Sequence, residues 1–115
     1  MTVEKPWGAY TIIGGSDKNY KIKHILVLPG KRLSLQSHEF RSEHWVIVAG
    51  TAKVRVGEDY HFMNVNDHVY IEPNQLHRIE NIGETDLEFI ETQVGSKLIE
   101  EDIIRYEDDF GRVRF

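Results

Sequence analysis

The chain contains no cysteine among its 115 residues. That excludes disulfides, thiolate zinc ribbons and thiol catalysis, and it fits a reducing, cytoplasmic compartment. No apolar run reaches the ~20 residues that span a bilayer, and the opening Met1-Thr-Val-Glu-Lys-Pro6 lacks the apolar region of a secretory signal. Basic residues are the minority: 14 Lys and Arg against 19 Asp and Glu leave a formal charge of −5. Such a balance argues against a nucleic-acid or membrane partner. An anionic small molecule would have to be drawn by cations gathered inside a pocket. Repeats, low-complexity tracts and linker-like stretches are missing too, which leaves one domain, residues 1–115, around one core. With 40% apolar and 29% charged residues, the composition is that of a soluble globular protein.

Long helical periodicity is also lacking. Short β-rich runs recur instead, over Ala9–Ile13, Tyr20–Leu28, Leu33–His38, Trp45–Val48, Ala52–Val56, Tyr60–Val65, His68–Ile71, His77–Asn81 and Leu87–Val94. Turn residues separate them, among them Pro29-Gly30, Gly57-Glu58-Asp59, Asn66-Asp67 and Pro73-Asn74. Strands spaced by about 8–12 residues with turns between them predict an all-β sandwich or barrel. Val54 to Met63 reads as a hairpin around Gly57-Glu58-Asp59. The acidic Lys97–Phe110 segment can close as a short helix or an extra strand.

The stretch from Gly30 to Gly50 carries the chemistry. Gln36 and His38 are two apart, so on a strand they share a face, with Ser34 on it as well. From His38 to Glu43 the odd separation breaks that parity. A tight turn through Glu39-Phe-Arg-Ser42 is therefore expected to bring Glu43 opposite His38 on the next strand. His77 and Ile79 point together downstream, with Asn81 next in series. A small barrel can converge these positions on one interior site. Two imidazoles, one carboxylate and one amide oxygen suit a divalent transition metal and leave it net positive, able to polarise an oxygen as a Lewis acid. Nitrogen and oxygen donors alone do not choose among zinc, manganese, nickel, cobalt and iron.

The register Gly30, Gln36, His38, Glu43, Gly50 resembles the first motif of the cupin superfamily, with Gln in place of the first His. His77 and Asn81 fit the end of the second motif, whose glycines are replaced by Asn66 and Asn74 and whose proline by Glu72. Asparagine tolerates positive φ better than other side chains, so both turns stay feasible. Lys5-Pro-Trp-Gly8, Leu33-Ser-Leu-Gln-Ser-His38, Arg41-Ser-Glu-His-Trp45, His77-Arg-Ile-Glu-Asn81, Glu101-Asp-Ile-Ile-Arg105 and Asp109-Phe-Gly-Arg112 narrow the resemblance. They look like type II mannose-6-phosphate isomerase, a domain that also ends bifunctional guanylyltransferase/isomerase enzymes. The resemblance covers nearly the whole chain, and 115 residues leave no room for a guanylyltransferase portion.

The resemblance implies a single-domain cupin, a double-stranded β-helix or jelly-roll-like barrel, and a homodimer is the assembly we expect of it. It implies zinc held by Gln36, His38, Glu43 and His77, and reversible conversion of mannose 6-phosphate to fructose 6-phosphate. A phosphate calls for cations or donors away from the metal, and Ser34, Arg41, Arg78 and Lys23 are the candidates. Arg78 opposes His77 in parity, Arg41 falls in the expected turn, and Lys23 sits in an apolar strand. No carboxylate presents itself as the general base. His24, His44, His61 and His68 read as ordinary strand residues, Trp7 and Trp45 as core anchors, and the acidic series from Glu100 to Asp109 as a solvated face. Two other readings stay open: a non-catalytic sugar-binding metal cupin, and an iron-dependent dioxygenase.

Overall fold

Alternating side chains decide this fold. Across 21–27, 41–47 and 87–93 every second residue is buried, the signature of strands with one face turned inward. The computed structural model describes residues 1–113, which form eleven strands in two antiparallel sheets, with no helix among them. The first sheet runs in the order β1 (Thr2–Lys5), β2 (Gly8–Gly15), β3 (Asn19–Val27), β10 (Leu87–Gly95), β5 (Arg41–Ala49), β8 (His68–Ile71). The second runs β11 (Ile104–Glu107), β4 (Leu35–Ser37), β9 (His77–Asn81), β6 (Ala52–Val56), β7 (Asp59–Met63). From β4 onward the chain passes repeatedly between the two sheets, which wraps them around a common interior.

That interior changes character along the strands. Ile25, Phe89 and Ile47 lie in register across β3, β10 and β5 and pack with Val54 and Ile79 of the opposite sheet. Each such side chain contributes roughly 1.5–3 kcal/mol by leaving water. The next inward row is Lys23, Glu91 and Trp45, and the one after it Lys21, Gln93 and Glu43. One end of the barrel is thus apolar and the other is lined with ionisable groups.

Two details of the sequence reading change. β5 begins at Arg41, earlier than the Trp45 expected, and the corner before it does not make a hairpin. β4 belongs to the second sheet and β5 to the first, so the chain crosses between sheets at Glu39-Phe40. The Asp102 carboxylate holds that corner by accepting from the Glu39 and Phe40 amides at 2.9 and 3.0 Å. The Lys97–Phe110 segment contributes the strand β11, paired with β4. Gly57-Glu58 makes the β6–β7 turn, and Asn66 and Asn74 have φ of 78° and 65°, the left-handed backbone expected of residues standing in for glycine.

Candidate metal centre and adjoining cavity

His38 follows β4, Glu43 lies on β5 and His77 opens β9, so two of the candidate ligands come from the second sheet and one from the first. One donor atom from each lies within 4.8 Å of the others, and all three side chains are buried. The His38 Nε2–Glu43 Oε2 distance is 3.2 Å and the His77 Nε2–Glu43 Oε1 distance 3.9 Å. A tetrahedral ion with bonds of about 2.1 Å separates its ligand atoms by about 3.4 Å.

The tautomers follow from the partners. His38 Nδ1 lies 2.6 Å from the Asp102 carbonyl oxygen and His77 Nδ1 2.9 Å from that of Gln75. A carbonyl only accepts, so each Nδ1 carries the hydrogen and each Nε2 keeps its lone pair toward Glu43. Burial lowers both imidazoles, His38 to about 4, which keeps them neutral at pH 7. Burial opposes ionisation of Glu43, yet neighbouring positive charge, which at pH 7 is that of Arg41, holds its carboxyl well below the usual range. Arg41 Nε donates to Glu43 Oε2 at 2.8 Å, and its Nη2 donates to His38 Nε2 at 3.2 Å. A guanidinium already rests on two of the three ligands. The donor set accepts a cation, and the residues present fit a divalent metal.

Gln36 pairs directly with His77 across β4 and β9, and its amide nitrogen donates to the Ser34 hydroxyl at 3.0 Å. Gln36, Ser34, Arg41, Lys23 and His38 border one cavity of about 110 Å³. Arg41 was expected in an exposed turn but is buried, because it starts β5 with its side chain inward. Arg78 does not reach this cavity. It turns to the outer side of β9, donates to the Leu33 carbonyl and to Glu107, and borders a separate hollow with Arg32, Lys53 and Arg55. Asn81 is also away from the ligands. Four residues along β9 from His77, it donates to the carbonyls of Val27 and Thr85 at 2.8 Å each and fastens the two sheets.

The structure adds a carboxyl that the sequence reading missed. Glu91 borders the cavity, is buried, and is pushed up to about 8 by burial and by the charge of Glu43. It therefore carries a proton at neutral pH. Gln93 Nε2 donates to its Oε1 at 2.6 Å. The available signal was parity, since Glu91 and Gln93 share the face of Leu87 and Phe89. The apolar Ile90 on the other face obscured it. Glu100 was read as solvated, yet its carboxylate meets Lys23 Nζ at 2.6 Å inside the cavity mouth.

The family model "Mannose-6-phosphate isomerase C-terminal" matches residues 1–108. The chain belongs to that family. It is 45% identical over 111 residues to mannose-1-phosphate guanylyltransferase of Escherichia coli K12, covering 96% of this chain and 23% of that protein. It is 44% identical over 112 residues to the alginate biosynthesis protein AlgA of Pseudomonas putida, covering 97% and 23%. The chain thus spans under a quarter of the length of these relatives. Among solved structures, KdgF from Halomonas sp. superposes with a TM-score of 0.77 at 13% identity, covering 84% of this chain and 89% of that one. An oxalate decarboxylase from Lactobacillus farciminis also gives 0.77, at 23% identity and 92% and 33% coverage. A cupin domain from Schizosaccharomyces pombe gives 0.73 at 12% identity, covering 76% and 64%. These likenesses identify the family's barrel as a cupin fold.

Proposed function

We propose that this domain is a metal-dependent aldose–ketose isomerase interconverting mannose 6-phosphate and fructose 6-phosphate. The supporting observation is the cavity, whose wall carries His38 of the three-residue group together with the protonated carboxyl of Glu91, a neighbour of Glu43. Relatives named for mannose-1-phosphate chemistry support a mannose-based substrate.

His38, Glu43 and His77, with Gln36 as a fourth ligand, would hold a zinc-type ion. Such an ion supplies Lewis acidity at the oxygens on C1 and C2 of the sugar. Aldose–ketose exchange moves a proton between C1 and C2 through an enediol-like state. Glu91 is the group we assign to that transfer. Its burial on the cavity wall beside Glu43 is the ground for that assignment. Gln93 donates to Oε1 and orients the carboxyl. Trp7, Ile25 and Leu33 form the apolar part of the wall and exclude water from the transfer. Lys23, Arg41 and Ser34 face the same cavity and are assigned to the sugar phosphate, whereas Arg78 is not.

A coupled assay of fructose 6-phosphate formation, run before chelation, after it and after zinc is restored, tests this reading. Turnover that disappears and returns with the metal is expected. Tight mannose 6-phosphate binding by the zinc-loaded protein without turnover would instead make it a non-catalytic sugar-phosphate domain.

A further inference from the structure

Lys23 is a buried cation in a polar environment that needs explaining. Its side chain is 5% exposed and projects from the middle of β3. Its neighbour on the same face, Lys21, is accounted for structurally: it donates to the Leu98 carbonyl at 2.7 Å and pairs with Asp17 at 2.8 Å. Lys23 instead borders the cavity, 4.2 Å from the centroid of the Tyr10 ring, and ion-pairs with Glu100 at 2.6 Å. Glu100 stands on the loop between β10 and β11 and is half-exposed. The loop is fixed on both sides of it. Leu98 is fully buried and bonded to Asp17 and Lys21, and Asp102 holds the Glu39-Phe40 corner and the His38 ring.

Several groups converge on this one carboxylate. Lys23 donates to it, the Tyr10 hydroxyl interacts with it, and the charges of Arg41 and Lys5 act on it. Lys5 Nζ stands 5.8 Å from the Tyr10 ring centroid and Lys23 Nζ 4.2 Å, so two ammonium groups neighbour one ring. With a formal charge of −5 the overall field repels an anion, so a phosphate reaching this wall would be held by these local cations alone.

We propose that Lys23, Tyr10, Lys5 and Arg41 form an anion subsite for a phosphomonoester, and that the Glu100 carboxylate occupies it until the phosphate displaces it. This deepens the isomerase reading and rests on it for the sugar to which the phosphate is attached. A carboxylate and a phosphate compete for the same donors, and the phosphate brings more charge and more acceptor oxygens. Glu100 keeps a buried ammonium paired in the free protein, which avoids leaving a desolvated charge alone. It also sets a threshold: a neutral sugar has nothing with which to displace it.

The test is calorimetric titration of the zinc-loaded full chain with inorganic phosphate and separately with mannose. Glu100→Gln is expected to tighten phosphate binding on the order of tenfold and to leave mannose binding unchanged. Lys23→Met is expected to abolish phosphate binding in both the parent and the Glu100→Gln background. Unchanged or weaker phosphate binding in Glu100→Gln would overturn the proposal, as would full phosphate binding in Lys23→Met. Glu100 is half-exposed, so its variant decides the matter even if Lys23→Met does not fold. The readout is binding, so an inactive protein with the expected phosphate response would remove only the isomerase reading. An active isomerase without that response would remove only the subsite.

Discussion

At the scale of single residues, two buried groups with opposite displacements govern how the metal-free protein responds to pH. His38 titrates at about 4 when folded, against about 6.5 in the unfolded chain, so on acidification the unfolded chain binds the proton first. Its contribution is complete above pH 6.5 and is lost as the pH falls toward 4, by up to about 3 kcal/mol. His77 is displaced in the same direction. Glu91 behaves oppositely. Its folded value of about 8 exceeds the unfolded 4.5, so stability falls as pH rises through that interval, by about 2 kcal/mol between pH 6.5 and 8. Urea unfolding of the chelated protein should therefore show a maximum near pH 6.5. Glu91→Gln keeps the shape and the hydrogen bond from Gln93 but cannot ionise. It should flatten the alkaline limb, steepen the acid limb between pH 6.5 and 4.5 where Glu91 offsets His38 in the parent, and lower isomerase turnover by about 10²–10⁴-fold in the zinc-loaded protein. A variant that retains the alkaline loss of stability would show that Glu91 is not its source.

At the scale of elements, the corner between β4 and β5 controls the site, and Gly95 on β10 controls the corner. A Cβ on Gly95 would lie 2.1 Å from the Phe40 carbonyl oxygen and 2.9 Å from the Arg41 Cα, both backbone atoms that cannot rotate away. Gly95→Ala is expected to push the start of β5 outward, at a cost of about 1–3 kcal/mol, and to weaken zinc binding because Arg41 and Glu43 move with it. Denaturation and a competitive zinc titration read the two effects separately, and a variant with parental zinc affinity would mean the corner tolerates the shift. This corner also marks where sequence reading reached its limit. The strands Ala52–Val56, His68–Ile71 and His77–Asn81 were legible to the residue, because alternation and turn residues bound them on both sides. The spacing of His38, Glu43 and His77 was legible as a ligand pattern. Whether Glu39 to Ser42 made a hairpin or a crossing was not, since a crossing depends on Asp102, more than sixty residues away. The same distance hid Glu100, whose partner Lys23 lies at a separation of 77. Nothing local in Glu100-Glu-Asp102 distinguishes a carboxylate aimed at a buried lysine from one facing water.

At the scale of the whole molecule, the two sheets are held differently at their two ends. Apolar packing of Val27, Ile47, Phe89, Val54 and Ile79 joins them at one end, reinforced by Asn81 reaching across to the Val27 carbonyl. At the other end the inward rows are ionisable, and the contacts between sheets there run through Glu43, His38 and His77. A divalent ion on those ligands would cross-link the sheets where hydrophobic burial does not. Zinc at a hundredfold its dissociation constant stabilises the native state by about 2.7 kcal/mol, on the order of 10–20 °C in Tm for a domain of this size. Chelation should reverse that shift. His77→Ala removes one of the two ligands supplied by the second sheet while leaving the apolar end intact. It should fold with strand-rich circular dichroism, melt near the temperature of the chelated parent, and gain no more than a few degrees from added zinc. If His77→Ala still responds to zinc as the parent does, the ion that stabilises the barrel is held somewhere other than between its sheets.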